Sequence, residues 1–473
     1  MGNTEWGVSD RALHVAVDIG GDRVTAAAGR PDLAERPAIV RLGHSADAAS
    51  SAVFVSDDGP VYGDAAARRA AGAPDRVLRD YAARIGDEVP LTVARQAIRA
   101  EEAYVGVLQW AVGAAVDAAG DVPEAITVVL PAAWGDHRRR SLADALRAHG
   151  IRAHFMTTPE AVAHHRMRTL DRDHDLFALY DLGATSCDLA IVMVEGGTVR
   201  VLATRSLAQF GGADIDDAVF AHLREIAPAV ADAGWVGLAA ARRECAAAKE
   251  ALSFDTETVL PIAVPAGEHL VRLVRDELEA LIEEDVRESV AALEDLCARA
   301  GVSPSDLRGV ALAGGGSRMP RVAQLVSEML GVGVDEDADP QSLAVRGAAG
   351  SPLPVGVPDL HETEPQPLEP AAPKPRSAFA RVLSAMMRAF LPPTLPAETQ
   401  TPAGTRVAAE TPVDARGEAP PPRPDASRSP GAATGPSGDA QTSPPPHSSV
   451  PLAAARPIPV AAARSRRDSR AAV

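Results

Sequence analysis

Lysine is nearly missing from these 473 residues: it occurs only at Lys249 and Lys374, against a large excess of arginine. Neither lysine follows the glycine pattern of a Walker A loop or precedes Ser or Thr, which excludes the P-loop NTPases. Lys249 lies in the Ala-rich helical run Ala246–Glu250 and Lys374 lies between prolines, so neither is the strand lysine of a protein kinase. Cysteine is scarce as well. Cys187, Cys245 and Cys297 are odd in number, widely spaced and without a Cys-x-x-Cys, so neither a disulfide framework nor a zinc cluster is supported, and a reducing cytoplasm is expected. Positive charge is in deficit: 47 Lys and Arg against 64 Asp and Glu give a net charge of −17. That is the wrong sign for a bulk surface that grips nucleic acid or an anionic membrane, so any anion must meet a local site. Long apolar runs are absent too. The N-terminus carries Glu5 and Asp10 and no apolar signal core, and no window reaches the roughly eighteen apolar residues of a membrane span, so neither secretion nor a transmembrane segment is expected.

What is present is enough apolar sequence, 46%, to bury a sizeable core, followed by a tail of different composition. Of the 39 prolines, 25 fall after residue 350. The reading divides the chain into a globular domain over 13–350, a linker over 351–376, a short amphipathic helix over 377–391 and a Pro-rich tail over 392–473 that is expected to be disordered. In the short helix Phe379, Val382, Leu383, Met386 and Phe390 share one stripe, suited to a protein partner or a membrane surface or to packing on the parent domain. The final Arg464, Arg466, Arg467 and Arg470 suit an acidic partner less well than solvent.

Within the globular part, residues 13–28 read as an apolar run, a Gly-Gly turn beside Asp18, and a second run of small residues, which predicts a hairpin. Residues 176–194 repeat the form around Asp181-Leu-Gly-Ala-Thr-Ser-Cys-Asp188, so Asp-x-Gly closes an apolar strand twice, as two related halves would. Ala125–Leu130 predicts a strand stopped by Pro131, Asp136–His149 a helix opened by an acid, and 269–300 a long acidic helical region with Leu273, Leu278, Leu281, Val286, Val290 and Leu293 on its buried face. A short strand through Ala313 then runs into Gly314-Gly-Gly-Ser-Arg-Met-Pro320 and a helix from about Arg321 to Leu330. Three glycine turns leaving apolar strands offer backbone amides to phosphate oxygens, and two of them add a carboxylate. Such a set suits phosphoryl chemistry in which Asp18 and Asp181 hold Mg²⁺ through its waters and orient an attacking water.

These residues resemble the actin-like ATPases, and within them the nucleotide-binding domain of the DnaK-type heat shock protein 70 family. Asp18-Ile-Gly-Gly21 is similar to the family's first phosphate motif, Asp181 to Asp188 to its second, and Gly314 to Pro320 to its adenosine motif. Val129-Leu-Pro-Ala-Ala-Trp134, Phe210-Gly-Gly-Ala-Asp-Ile-Asp216 and the helix Cys245 to Ser253 resemble intervening family segments, so the likeness spans about residues 13–350. The resemblance implies an α/β, two-lobed actin-like ATPase fold with duplicated ribonuclease-H-like subdomains, and ATP or ADP with Mg²⁺ as cofactors. Carried over residue by residue, Asp18 and Asp181 serve Mg²⁺ and the attacking water. Gly20, Gly21, Gly183, Ala184, Gly211 and Gly212 receive the phosphates, and Lys249, Gly314, Gly315 and Arg318 the adenosine, Arg318 by stacking its guanidinium on the base.

Departures from the family pattern point away from fast turnover. Gly21 and Asp22 replace hydroxyl-bearing residues, the family's phosphate-contacting lysine falls on Ala82, and its Glu-Pro falls on Thr158-Pro159 with Glu160 after the proline. The β-rich peptide-binding domain and helical lid of a DnaK-type foldase have no counterpart pattern in 351–473. The leading expectation is an ATP-binding, DnaK-like protein with weak or absent hydrolysis. The alternatives are a nucleotide-independent scaffold, a small-molecule kinase whose acceptor-side base is not identifiable, or a filament former. His137, His149, His154, His164 and His165 have no metal-ligand spacing and receive no role, and Cys187 reads as a small packing residue.

Overall fold

In the computed structural model, residues 12–31, 35–43, 47–170, 174–265, 267–335 and 339–352 are described. The expected helix at 377–391 and the Pro-rich tail lie outside the described residues. The chain opens with β1 (His14–Ile19) and β2 (Arg23–Gly29), whose small apolar residues pair antiparallel around the predicted Gly-Gly turn. β3 (Ala38–Ile39) and β4 (Ala49–Ser50) edge β2. A small outlying sheet follows, β5 (Val53–Ser56) between β6 (Gly59–Tyr62) and β7 (Val77–Leu78), with α1 (Gly63–Ala70) packed on it, and then the hairpin β8 (Leu91–Val93) and β9 (Gln96–Ile98). α2 (Ala100–Ala119) leads back to β10 (Ala125–Leu130), every residue of which is buried, as befits a central strand parallel to β1. α3 (Asp136–Ala148) buries only Leu142 and Leu146 and leaves its Arg-rich face outside, and β11 (His154–Thr157) completes the order β11-β10-β1-β2-β3.

The second half repeats the scheme. After α4 (Thr158–Leu170), β12 (His174–Leu182) and β13 (Cys187–Glu195) form a hairpin around the second Asp-x-Gly, and β14 (Thr198–Leu207) extends it. α5 (Gly212–Ile226), α6 (Gly234–Leu252), the hairpin β15 (Glu257–Val264) and β16 (Gly267–Val274), and α7 (Arg275–Arg299) follow. β17 (Val310–Ala313) then joins β12 in parallel, as β10 joins β1, before α8 (Pro320–Leu330) and α9 (Leu343–Gly350). Two sheets with one shared hairpin-plus-parallel-strand plan form the two lobes of an actin-like ATPase fold.

One element departs from the sequence reading. The helix expected from residue 269 begins only at Arg275, because 269–274 belong to β16, where Val271 and Leu273 are buried and alternate with exposed neighbours. From Leu278 onward the helix is as expected, with Val286, Val290 and Leu293 buried, while Leu281 is only partly buried and Ile282 and Leu296 complete the stripe.

α4 and α9 lie between the lobes, in a core built from small residues: Ala16 and Ala27 of the first sheet, Ala190 and Ala311 of the second, and Ala161, Ala344 and Ala348 of the helices. The approach is close enough that a Cβ on Gly347 would stand 1.8 Å from the Ala161 carbonyl oxygen, so this crossing requires glycine. Near it α4 carries a buried charge: Arg166 Nε donates to Asp175 Oδ2 at 2.8 Å, its guanidinium lies 4.4 Å from the Phe177 ring, and it also meets Asp335. That network fastens α4 to β12 and to the chain beyond α8.

Candidate functional site

The ends of β1 and β12 carry the candidate chemistry. At the end of β1 the Gly20 amide donates to the Arg23 carbonyl at 2.9 Å, closing the turn. Ser51 holds its far side, donating Oγ to the Gly21 carbonyl at 3.0 Å and its amide to the Asp22 carbonyl at 2.7 Å. Tyr81, fully buried, in turn donates its hydroxyl to the Ser51 carbonyl at 2.8 Å. At the end of β12 the Gly183 amide donates to the Ser186 carbonyl at 2.9 Å, and the start of α5 is laid against this turn through Gly212 to Gly183 at 2.9 Å and Ala213 to Ala184 at 2.8 Å. A Cβ on Gly211 would fall 2.7 Å from the Ser186 amide nitrogen, so the close approach depends on glycine.

The turns converge. A Cβ on Gly21 would stand 3.0 Å from the Thr185 side chain, so the first and second glycine turns face each other across the lobes. Gly314 takes φ +79°, and a Cβ there would stand 2.3 Å from the Leu182 carbonyl oxygen and 2.5 Å from Asp181 Oδ1, which brings the third turn onto the same strand end. Gly315 opens the short 3₁₀ turn Gly315–Arg318 that follows. The second turn is thus met by the first at Thr185 and by the third at Asp181 and Leu182, although the first and third lie almost three hundred residues apart.

Three carboxyls gather there. Burial raises Asp18 to about 6. Burial also pushes Asp181 well above the usual carboxylate range, with the charges of Asp188 and Asp18 adding to the effect. Asp188, the cross-strand partner of Asp181, is raised by burial, while hydrogen bonds from Ser206 and Ser186 oppose the rise. About 290 Å³ of open space lies beside Asp181 and Asp188, lined further by Pro131, Thr158, Pro159 and Arg205. A divalent cation would relieve the mutual repulsion. Among the described residues no three His, Cys, Asp or Glu side chains are arranged to ligate a metal directly; neighbouring carboxyls are a donor set that fits Mg²⁺ held through its waters.

Two expected adenosine contacts are engaged within the chain. Lys249 Nζ donates to the Gly212 carbonyl at 2.7 Å and pairs with Asp216 at 2.7 Å, which ties α6 to the glycine pair at the start of α5. Arg318 donates Nε to Asp339 Oδ1 at 2.7 Å, with Nη2 at 2.6 Å from the same oxygen, and this fixes the plane of its guanidinium beside Gly315. The departures have definite places too. Asp22 pairs with Arg23 at 3.2 Å and Arg79 at 3.9 Å. Ala82 packs partly buried against the core of the first lobe, and Arg84, the next cation along, is engaged by Asp87. Glu160 accepts from the Thr157 amide and hydroxyl, both at 2.7 Å, so it turns back on the start of α4. Cys187 is buried with its thiol pushed up by burial, a packing residue.

Sequence reasoning did not single out Asp188, Ser51, Tyr81, Arg79 or Asp339. Asp188 had a signal: in a hairpin with Asp181 at one strand end, the acid that closes the motif falls opposite it. The others reach the site through contacts remote in sequence, and no local pattern marks them.

A family model described as Hsp70 protein matches residues 54–352. Among curated proteins the chain is similar to the chaperone protein HscA homolog of Acidithiobacillus ferrooxidans, 31% identical over 240 residues, covering 50% of this chain and 38% of that one. It is also similar to the homolog of Burkholderia cenocepacia, 32% identical over 241 residues with the same shares. The chain therefore spans well under half the length of these relatives. The matched stretch carries the second sheet, the second and third glycine turns and the carboxyls of Asp181 and Asp188, and the chain belongs to the Hsp70 family.

Proposed function

We propose that this chain binds ATP or ADP with Mg²⁺ in the cleft between its lobes, closes on the nucleotide, and hydrolyses ATP weakly or not at all. The observation that carries the reading is the convergence of the three glycine turns, the first on Thr185 and the third on Asp181 and Leu182, beside partly buried carboxyls. In this reading the backbone amides of Gly20, Gly21, Gly183 and Ala184, with the Gly211–Gly212 segment, receive phosphate oxygens. Asp18, Asp181 and Asp188 hold the waters of the metal, and Gly314, Gly315 and Arg318 frame the adenosine. Bound Mg²⁺ would offset the charge of carboxylates and phosphates together. Lys249 acts at one remove, holding Gly212 in place.

Weak turnover follows from what stands at two positions. Ala82 brings no cation to the phosphates, and Thr158 brings no carboxylate while Glu160 is committed to Thr157. Each missing transition-state group costs about 2.7 to 4 kcal/mol, or roughly two to three decades in rate. Purified chain mixed with Mg²⁺ and ATP should bind nucleotide yet release phosphate slowly in single turnover; release as fast as that of an intact Hsp70 measured alongside would overturn the reading.

The same reading gives residues 351–473 no peptide clamp and assigns the stripe at 377–391 or the tail to a protein partner. It places the protein in the cytoplasm, in keeping with three buried free cysteines; among the described residues no helix is long and apolar enough to cross a membrane. A nucleotide-independent scaffold on the same fold is the second reading, favoured by the carboxylate of Asp22 at the first phosphate turn. Failure to bind any adenine nucleotide would select it.

A further inference from the structure

The first phosphate turn carries an acid where a polyphosphate is meant to sit, and that acid already has a cation. Asp22 Oδ1 lies 3.9 Å from Arg79 Nη1, too long for a tight hydrogen bond and short enough for strong attraction. Arg79 is half-exposed, so its other donors stay available. Its position is nonetheless built. It follows β7 directly, and the next residue, Asp80, takes the left-handed backbone, φ +53°, which turns the chain into Tyr81. Tyr81 is locked by its hydroxyl to Ser51, and Ser51 holds the carbonyls of both Gly21 and Asp22. The arm that bears Arg79 is therefore anchored, through two residues, to the very turn it overhangs. Ala82, one turn further along, is partly buried in the core and offers no charge.

On the other flank, Arg23 pairs with Asp22 at 3.2 Å and with Glu250 of α6 at 2.7 Å, so its charge is shared with the second lobe. Lys249 is committed to Asp216 and the Gly212 carbonyl. Of the cations around the first turn, Arg79 has the longest and most exchangeable pairing. A guanidinium that attracts a carboxylate at this place will attract a phosphate more strongly, because the phosphate carries more charge and presents several acceptor oxygens.

We infer that Arg79 is the cation that meets the nucleotide's phosphates at the first turn, and that Asp22 is an internal anion which Arg79 gives up when nucleotide enters. The inference rests on the nucleotide reading above and adds a specificity-determining residue to it. It also explains how a turn bearing a carboxylate accepts a polyphosphate: Asp22 is met by two guanidiniums, Arg23 and Arg79, which offset it and the neighbouring carboxylate of Asp80.

The test is titration of Mg²⁺-ATP and Mg²⁺-ADP into the full wild-type chain and into Arg79→Ala, Arg79→Lys and Arg76→Ala, followed calorimetrically, with melting temperatures of each. Arg76 is the control, since it lies on the same arm but pairs with exposed Asp57. Loss of one charge-assisted contact predicts that Arg79→Ala weakens Mg²⁺-ATP binding about tenfold or more, while Arg79→Lys keeps most of the affinity and Arg76→Ala keeps all of it. Asp22→Asn should tighten binding in the presence of Arg79 and do so less in Arg79→Ala, because its benefit comes from freeing that guanidinium. Wild-type binding with Arg79→Ala equal to Arg76→Ala would overturn the inference and leave the nucleotide site standing. No binding by the wild type would remove both.

Discussion

Replacing Asp18 by Asn should stabilise the nucleotide-free protein while removing Mg²⁺-dependent binding. Burial moves the Asp18 carboxyl from 3.8 to about 6, so the folded state holds its proton over a range in which the unfolded chain has released it. The sign follows directly: below the unfolded value both states are protonated and Asp18 has no effect on stability. As pH rises through the window from 3.8 to about 6 the folded state must accept a buried charge, and stability falls. The cost amounts to at most about 1.6 kcal/mol near pH 5 and about 3 kcal/mol near pH 8, at roughly 1.36 kcal/mol per decade. Asn has nearly the shape of the protonated acid and does not titrate. Urea unfolding of wild type and Asp18→Asn at these two pH values, without nucleotide, should therefore show the variant more stable at both, with the gap widening toward the alkaline side. Adding Mg²⁺ with ADP should close the gap by stabilising the wild type alone. A variant less stable than wild type near pH 8, or a gap that does not change with pH, would refute the assignment of Asp18 as a carboxylate strained by burial and awaiting a cation.

Other substitutions probe the remaining parts. Ala82→Lys should raise single-turnover phosphate release by about two decades if the missing cation limits turnover, and an unchanged rate would show that the deficit lies elsewhere. Gly314→Ala forces a side chain into the left-handed backbone and within 2.3 Å of the Leu182 carbonyl, so it should cost at least about 1 kcal/mol and weaken nucleotide binding; unchanged melting and affinity would contradict the convergence of the third turn on β12. Arg166→Ala leaves Asp175 buried without its guanidinium and should destabilise the fold by about 3 to 5 kcal/mol in urea unfolding, against a negligible change if the network were ornamental.

Much of this architecture could be read locally. Asp18 and Asp181 each stand in a strand, turn and strand of 16 and 22 residues, where apolar runs and glycine determine the hairpin without help from the rest of the chain. β10 and α3 were legible for the same reason: five apolar residues out of six before a proline, and an acid opening an Arg-rich run. The misread stretch at 269–274 shows how periodicity misleads. Leu273 and Leu278 fall near a helical spacing, yet the alternation of Val271 and Leu273 marked a strand that ends before the acids at Asp276 and Glu277 open α7.

The site was less legible than the fold, because its geometry is non-local. Nothing near Ser51 announces that it will hold the carbonyls of Gly21 and Asp22, thirty residues earlier, or that Tyr81 will hold Ser51 in turn. Lys249 could be placed by resemblance in the helix that borders the nucleotide, but its charge is spent on Asp216 and the Gly212 carbonyl, and sequence carries no record of that direction. Thr158 and Ala82 were legible as losses. Whether another group fills the gap depended on where Glu160 and Arg79 point.

Calorimetric titration of Mg²⁺-ATP into the full chain tests the nucleotide cleft most directly. Saturable one-to-one binding, lost without Mg²⁺ and weakened as Asp18 and its neighbours take up protons in acid, is the expected result. No heat at several temperatures, with a melting temperature that nucleotide leaves unchanged, would contradict it and leave an Hsp70 fold that serves as a scaffold.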